Sequence, residues 1–547
     1  MKKFFKKIKS FFVNLFNKIK NLFKNISIEE PIDEPDISNN TNTNTDENTD
    51  NTDSNGPTPE PIETPIDEPD TGNNTNMDNE NTDNIDSNDP ILEPVDEWVD
   101  DENLPIDPEN IKLGEIGGYV IYNKTKGAVV DDEFINNLQE LGINILYFNT
   151  PRNKSIIETY LSYEEWLEIF NKFTDTGIKL MLYIYEALEK KDSEGNVIYK
   201  KWTDTQIKKI SNHPAFYGWI AEDEVGYTQF TQTKAWITKF HSQTWKDGTR
   251  KWPNMSICFF PKTPRLINEG AIGGDYDRYL EIYSNSADIF FADMYPIQST
   301  KVNKNYYNII EDGISVYSKT EGGKNWYDYL KSHLIFTNNH PESTHRLYLH
   351  TCKHVAKETN TNKLYVARYK ATESSLKVQS YANLMAGSNG LMLFVLCDIP
   401  GNEENAGFMD AAFNTEFKPN EYTYNLMKNF YTSKKFQNYK NMMVNLYPDN
   451  IEVYDENNAT SYEFISQVSQ GAEILIGSAH NNEANYYTIL NTSLTESISI
   501  TINDGLLYMD LANNKVKKTK KDELYTIEPG DIIVVKENIT IIENDSI

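Results

Sequence analysis

The segment FYGWIAEDE at residues 216–224 decides the fold, together with QTKAWITKFHSQT at residues 232–244. The first segment is a short apolar and aromatic run that ends in three acids, which is typical of a fully buried strand. The second spaces its apolar residues three and four positions apart, which predicts a helix. A buried strand followed at once by a helix is the repeating unit of a parallel sheet.

Seven other segments repeat this strand–helix unit between residues 112 and 435. Eight such units close naturally as a (β/α)8 barrel of the TIM type. A doubly wound open sheet is the alternative, but no glycine-rich phosphate fingerprint follows the first predicted strand. We therefore predict an α/β fold, a (β/α)8 barrel, over residues 112–435. The predicted strands are 117–122, 144–149, 179–185, 216–224, 255–260, 288–295, 346–352 and 390–398.

The helical spacing disappears after residue 435. Short alternating runs such as SISITI and DIIVVK follow, separated by turns rich in Asn, Asp and Gly. This pattern predicts a small antiparallel β-sandwich over residues 436–547. The sandwich would pack against the barrel, or it would bind carbohydrate.

A basic amphipathic helix is predicted for residues 1–28. Apolar residues recur every three or four positions from Phe4 to Ile26, and the segment holds eight lysines and no acid. Lysine and asparagine interrupt the apolar residues too often for a transmembrane span, and neither an apolar core nor a cleavage site indicates a signal peptide. Such a helix can bind an anionic membrane surface, or it can pack against protein in an oligomer or a larger particle.

Residues 29–110 are predicted to be a disordered acidic linker. They contain 27 acids and no Lys or Arg, and PIDEPD at 31–36 returns at 65–70. Such a sequence has too little apolar surface to offset the entropy of an ordered chain. The linker would hold the barrel at a distance from the helical anchor. The organisation predicts a protein of the cell surface, of a membrane or of a virion.

Charge and cysteine content exclude several classes of protein. Most of the net charge of −30 belongs to the linker, and the residues after Asn110 carry −11. The barrel offers no basic stripe to neutralise phosphates, so nucleic acid is not an expected partner. Cys258, Cys352 and Cys397 lie in apolar runs, which indicates small buried hydrophobes rather than a disulfide framework or a metal site.

Acids gather at the C-terminal ends of the predicted strands, where the active sites of such barrels lie. Aromatic side chains at the same rim could stack on sugar rings, although tyrosine and tryptophan in a barrel are more often core residues. His350 and His354 could line the pocket, but the pair does not amount to a zinc site, and neither a metal nor a cofactor is expected. The acids are Glu186, Glu222, Asp223, Glu224, Asp293 and Asp398, and the aromatics are Tyr122, Tyr183, Tyr185, Trp219 and Tyr295.

Three motifs resemble those of (β/α)8-barrel glycoside hydrolases of the clan-A type. NHPAFYGWIAEDEV at 212–225 is similar to their "HP-x-x-x-GW-x-x-x-DEP" signature on strand four. ADIFFADMYPI at 287–297 resembles their sixth strand, and ARYKATESSLKVQSYANLMAGSNGLMLFVL at 367–396 resembles the stretch that leads into strand eight. The resemblance covers residues 112–547, because a β-sandwich after the barrel is also usual in that group.

The resemblance implies a catalytic role for Glu224, which matches the proton donor of the signature. Protonation is needed because an alkoxide leaves poorly, and a partly desolvated carboxyl beside Glu222 and Asp223 can keep its proton near neutral pH. Asp223 would orient the substrate or the acid. Val225 stands where the signature has proline.

The second catalytic carboxylate stays open. Retaining members of the group carry a nucleophile, commonly at the end of strand seven, and no acid lies at that position here. The candidates are Asp293, Glu358 in the following loop, and Glu186, and an inverting pair with a wider gap is also possible. Glu373 is interpreted as the N-terminal acid of a helix.

The sequence therefore predicts a glycoside hydrolase that acts on a polysaccharide or a cell-surface glycan. Its alternative is a non-catalytic carbohydrate-binding or attachment protein, such as a phage receptor-binding component, that kept the barrel and lost the nucleophile. A structural scaffold is the third class, and it predicts no glycan binding.

Overall fold

The computed structural model describes most of the chain after residue 113. The predicted N-terminal helix, the predicted linker and Glu358 lie outside the described residues. The described residues are 114–150, 161–188, 190–191, 197–199, 201–225, 230–259, 275–293, 295–298, 315–316, 326–357, 364–368, 370–400, 407–454 and 462–539.

Eight parallel strands close into a barrel, in the order β1-β8-β7-β6-β5-β4-β3-β2 with β2 returning to β1. Each strand overlaps one of the eight predicted from the sequence, so the predicted barrel is confirmed. The strands are β1 (Glu115–Ile121), β2 (Ile145–Asn149), β3 (Lys179–Tyr183), β4 (Phe216–Val225), β5 (Ser256–Phe259), β6 (Ile289–Ala292), β7 (Thr344–His350) and β8 (Gly390–Phe394).

Helices follow each of these strands and cover the outside of the barrel. Several begin at a side chain that caps free backbone N–H groups: Ser162 and Glu165 form a capping box at α2, and Thr372 caps α7. Glu373 is the first residue of α7 and pairs with Lys377 one turn later. The helices are α1 (Asp132–Glu140), α2 (Tyr163–Lys172), α3 (Asp204–Ser211), α4 (Phe230–His241), α5 (Tyr276–Tyr283), α6 (Trp326–Asn339), α7 (Glu373–Met385), α8 (Glu421–Tyr431) and α9 (Lys434–Met443).

The inside of the barrel is filled by large side chains rather than left as a channel. Tyr147 packs edge-on against Tyr183 and Phe291, and Met392 and Ile145 close the layer below. All five are buried. Alternate residues of each strand point outward instead, into the larger core between the strands and the helices.

A small antiparallel sheet, which we call the cap sheet, is built from segments that follow β7 and β8. Its strands are Lys353–Lys357, Leu364–Arg368, Ile399–Pro400 and Gly407–Met409. His354 lies opposite Arg368 on one side and opposite Phe408 on the other. This sheet was not predicted from the sequence.

Two antiparallel sheets form the predicted β-sandwich after the barrel, and its presence is confirmed. Their facing sides share a core of isoleucine and valine that includes Ile476, Ile500 and Val535. The sandwich packs on the barrel helices: the Tyr439 hydroxyl is 3.1 Å from Thr488 Oγ1. The strands are β9 (Tyr447–Tyr454), β10 (Ile465–Val468), β11 (Ile474–His480), β12 (Ala484–Asn491), β13 (Ile498–Ile502), β14 (Leu507–Asp510), β15 (Lys515–Lys518), β16 (Glu523–Ile527) and β17 (Ile532–Asn538), in sheets β9-β11-β12-β17-β14-β15 and β10-β13-β16.

The cysteines are free thiols, and Cys258, Cys352 and Cys397 are all buried as predicted. Among the described residues, no helix combines the length and the apolar content that crossing a bilayer would require.

Candidate active site

The end of β4 departs from regular strand geometry, and this departure positions its acids. Ile220 pairs with Ser256 and Val225 with Phe259, so five steps along β4 match three along β5. The extra residues are β-bulges, which re-aim side chains that simple alternation would send outward. Glu224 has a φ of 50°, in the left-handed region that a residue with a side chain rarely adopts. Such strain is typical of functional sites.

These bulges direct Asp223 and Glu224 into a pocket of ≈ 290 Å³ at the C-terminal mouth of the barrel. Its walls are mostly aromatic and aliphatic, with three carboxyl groups among them, and its far side is formed by the cap sheet. The lining residues are Tyr119, Ile121, Asp223, Glu224, Cys258, Asp293, Tyr295, Tyr348, Phe394, Ile399 and Phe408.

Glu224 and Asp293 form a hydrogen-bonded carboxyl pair that joins the end of β4 to the end of β6. Desolvation raises the pKa of Asp293 well above its usual value, and the charges of Glu224 and Asp223 add to the rise. Glu224 is accessible to solvent, yet desolvation is also the main cause of its raised pKa, followed by the charge of Asp223. Two carboxyl groups in contact repel each other when both ionise. The pair therefore keeps one proton at a pH at which two isolated acids would both be ionised.

Asp223 has a different environment from this pair. It accepts a hydrogen bond of 2.8 Å from the Tyr183 hydroxyl, which rises from the barrel interior. A hydrogen bond to a carboxylate favours its charged form. Asp223 thus supplies negative charge beside the pair, and that charge raises the pKa values of both partners.

Arg368 of the cap sheet brings a positive charge to the same place. Its guanidinium lies 4.5 Å from the centre of the Tyr295 ring, which stacks on Phe394 at 5.3 Å. The charge of Arg368 lowers the pKa of both Glu224 and Asp293, although burial and mutual repulsion outweigh it. The site therefore combines a protonated carboxyl pair, a carboxylate and one guanidinium.

Two of the predicted acids lie apart from this pocket lining. Glu222 accepts a hydrogen bond of 2.7 Å from the Tyr185 hydroxyl, and the Tyr185 ring stacks on Trp236. Glu186 is buried and accepts hydrogen bonds from Thr150 and from the Trp166 indole. Both carboxylates are held by neighbouring side chains that belong to the body of the barrel.

The remaining predicted residues occupy the core or the rim. Trp219 is fully buried among Trp202 and Trp252, because its position on β4 points outward to the helices. Tyr122 packs against Phe148 and Phe417 on the same outer side.

His350 and Asp398 lie near the mouth without lining the pocket. His350 is buried with its ring 5.7 Å from that of Tyr295, so it supports the pocket wall from behind. Asp398 accepts hydrogen bonds from the Ala411 backbone and from the Asn420 amide, and thereby orders the loop after β8.

Several pocket residues were not identified from the sequence. Tyr119 and Tyr348 lie in the middle of apolar strands, where strand alternation could have assigned them to the interior. Phe408 lines the pocket and Arg368 lies against its Tyr295 wall, and the cap sheet, whose pairing joins distant segments, brings both of them there. Within the described part of the chain, no group of His, Cys, Asp and Glu side chains could hold a metal ion.

The fold and the site together describe a (β/α)8 barrel with three acids at its C-terminal mouth. No protein-family model matches the chain, and no curated protein matches it in sequence. Similar solved structures include a β-galactosidase from Bacillus circulans sp. alkalophilus, with 10% identity and a TM-score of 0.44 over 78% of this chain and 99% of that one.

Another is a GH27 β-L-arabinopyranosidase from Geobacillus stearothermophilus, with 9% identity and a TM-score of 0.40 over 79% and 97% of the two chains. A GH30 endoxylanase from Clostridium papyrosolvens C71 has 10% identity and a TM-score of 0.35 over 79% and 97%. The (β/α)8 fold that the sequence resemblance implied is confirmed by the closed barrel itself. These similarities carry no activity over to this chain.

Proposed function

We propose that the chain is a glycoside hydrolase in which Glu224 and Asp293 act on the glycosidic bond of a glycan. The observation that carries this proposal is the hydrogen-bonded carboxyl pair at the mouth of the barrel, with the pKa of both members raised. Glycoside hydrolysis needs one carboxylic acid and one carboxylate facing the same bond. A pair that holds a single proton supplies both.

The two members differ in a way that favours one division of roles. Glu224 is open to solvent, so a leaving group and later a water molecule can reach it. Asp293 is buried at the floor of the pocket. We assign Glu224 as the acid that protonates the glycosidic oxygen as the C–O bond breaks. In the free protein the shared proton is on Asp293, because its pKa is raised further than that of Glu224. Asp293 passes this proton to Glu224 when the sugar binds, and the carboxylate of Asp293 then attacks the anomeric carbon.

This assignment implies retention of configuration. Carboxyl groups lie about 5–5.5 Å apart in retaining enzymes and about 6.5–9.5 Å apart in inverting ones. The contact between Glu224 and Asp293 brings their carboxyl groups closer together than either separation, and the retaining separation is the nearer of the two. Glu224 would then deprotonate the water that hydrolyses the glycosyl ester on Asp293.

Sugar release from a panel of aryl glycosides and oligosaccharides tests the proposal. Glu224→Gln and Asp293→Asn should each lower kcat by about 10²- to 10⁴-fold. Glu168→Gln on the outer surface of α2 makes the same chemical change far from the pocket and should be neutral. Azide should restore turnover to Asp293→Ala and yield a glycosyl azide. Hydrolysis that survives Glu224→Gln would overturn the assignment.

One observation favours a second function. β7 ends at His350 and is followed by Thr351 and Cys352, so no acid stands where a strand-seven nucleophile would be. A carbohydrate-binding or attachment protein, for example on a virion, would bind glycans through the same aromatic pocket without turnover. Glycan binding by the wild type with no release of sugar from any member of the panel would favour it.

We further propose that the basic segment at residues 1–28 anchors the barrel to an anionic membrane surface or to a particle. Its charge of +8 and its apolar stripe support this role. Co-sedimentation of the full chain with anionic vesicles should exceed that of a chain starting at Glu29. Equal pelleting would remove the lipid and leave a protein particle as the partner.

A further inference from the structure

Arg368 and His354 form a pair of nitrogen-bearing side chains on neighbouring strands of the cap sheet. They are directly opposite in the strand register. The His354 ring stacks on Phe408 at 4.3 Å, as the Arg368 guanidinium stacks on Tyr295. Phe408 and Tyr295 both line the pocket, so the two side chains sit at its edge.

The hydrogen-bonding groups of this pair are not used up within the described part of the chain. Arg368 Nε and His354 Nδ1 are both buried, and no described residue forms a hydrogen bond with either. Nor does any described carboxylate form an ion pair with the guanidinium, although Asp293 and Glu224 feel its charge. A buried donor that lacks a partner destabilises the protein unless a ligand or water satisfies it.

His354 is neutral at physiological pH. Burial, and then the charge of Arg368, lower its pKa to about 4. Its ring can therefore donate one hydrogen bond without adding a second fixed charge to the pocket edge.

The charge around the pocket limits what Arg368 can recognise. The planar guanidinium matches the geometry of a carboxylate and binds it through two parallel hydrogen bonds. A substrate carboxylate would be repelled by Asp223 and by the Glu224–Asp293 pair unless a cation stood beside it. Among the described residues, Arg368 is the cation whose charge reaches both members of that pair.

We propose that Arg368 and His354 recognise the carboxylate of an acidic sugar, so that the substrate is a glycan containing uronic acid. This inference rests on the proposed function of the pocket. It adds to that function the chemical class of the sugar and the two side chains that select it. Arg368 is a specificity-determining residue in this scheme, and the carboxyl pair performs the chemistry.

Matched aryl glycosides test the inference, with glucuronide compared with glucoside and galacturonide compared with galactoside. The uronide of at least one pair should have the higher kcat/KM. Arg368→Gln should lower kcat/KM for that uronide by roughly 10- to 100-fold, the cost of losing a charged hydrogen-bonded pair. The neutral sugar should change by less than about threefold. Lys370→Gln, which removes a nearby exposed cation, should change neither.

The other outcomes separate this inference from the proposed function. Hydrolysis that prefers neutral sugars would overturn this inference, but the proposed glycoside hydrolase function would stand. An equal loss on both sugars with a shifted pH profile would mean that Arg368 serves only the carboxyl pair, which also overturns it.

If no glycoside is cleaved, calorimetry tests the inference instead. It compares the binding of glucuronate and galacturonate to the wild type with the binding of their neutral sugars. Preferential binding of a uronate that Arg368→Gln abolishes would keep the inference and reject the glycosidase. Equal or absent binding would reject both.

Discussion

The two ends of the barrel treat their charged groups in opposite ways. At the N-terminal end, Arg346 is buried and bound to Glu115, which also accepts a hydrogen bond of 2.9 Å from the Tyr217 hydroxyl. At the mouth, the carboxyl groups of Glu224 and Asp293 contact each other, and no described cation forms an ion pair with either of them. The first end neutralises its charges by opposite charge, whereas the second does so by holding a proton.

A second buried group at the start of β7 extends this contrast. His345 Nε2 lies 3.0 Å from His333 Nδ1, and His345 Nδ1 lies 2.8 Å from the Thr337 hydroxyl. That hydroxyl donates to the His333 carbonyl, so it accepts from His345. The chain of hydrogen bonds is complete with one proton on each ring. Burial lowers the pKa of His345 to about 3. His345 at the N-terminal end thus stays unprotonated at a pH where the carboxyl pair at the mouth keeps a proton. A change of pH should therefore change the stability contributed by the two ends in opposite directions.

The largest expected effect is a loss of stability in acid caused by His345. The unfolded chain takes up a proton below its ordinary pKa of 6.5, while the folded chain does so only near 3. Stability therefore falls as pH drops through this window, by about 1.4 kcal/mol per pH unit and about 4–5 kcal/mol in all. Urea unfolding from pH 7 to 3 measures it.

In the His345→Gln variant the same curve should be flatter, whatever its stability at pH 7. His480→Gln provides the control, because His480 is half-exposed and pairs with Asp449 on the sandwich. An unchanged slope in His345→Gln would break the contrast between the two ends.

An effect of opposite sign is expected at the mouth. The raised pKa of Asp293 means that the folded chain keeps a proton that the unfolded chain releases above pH 3.8. Stability is therefore lost as pH rises, at up to about 1.4 kcal/mol per pH unit until the pair ionises. The Asp293→Asn variant should not show this loss of stability. In urea unfolding, its free energy of unfolding should therefore rise relative to that of the wild type between pH 5 and 8. A difference that does not vary with pH would contradict the shared proton.

The smallest effect is expected from removing the hydroxyl group of either of two tyrosines, Tyr183 and Tyr185, which lie two residues apart. The Tyr183 hydroxyl donates to Asp223 at 2.8 Å, and the Tyr185 hydroxyl donates to Glu222 at 2.7 Å. Only Asp223 lines the pocket. Tyr183→Phe should lower kcat/KM by about tenfold, the worth of one such hydrogen bond, and Tyr185→Phe by less than about twofold. A large loss in Tyr185→Phe would instead support the contact between Tyr185 and the glycan predicted from the sequence.

The barrel could be predicted because strand and helix periods are local properties of the chain. Each buried strand can be recognised from about six consecutive residues. The eight-fold repeat of strand and helix then predicts that the sheet closes into a barrel. The acids of the site followed from the same logic, since Asp223, Glu224 and Asp293 end strands four and six. The β-sandwich was visible for the same reason.

The other parts of the site depend on contacts between distant segments. Alternation alone could not tell that bulges would turn both Asp223 and Glu224 into the pocket. The cap sheet pairs short strands across connections that have no periodic signal. Arg368 and Phe408 were therefore missed, although Arg368 lies within the sequence motif at 367–396.

The left-handed backbone at Glu224 has a consequence for protein engineering. A side chain in that conformation costs about 1–3 kcal/mol, and glycine would remove the strain. A library selected only for heat resistance should therefore enrich Gly at this position and lose the candidate acid in the same step. Directed evolution of this barrel would need an activity screen in every round, because a stabilising substitution and a damaging one can be the same change.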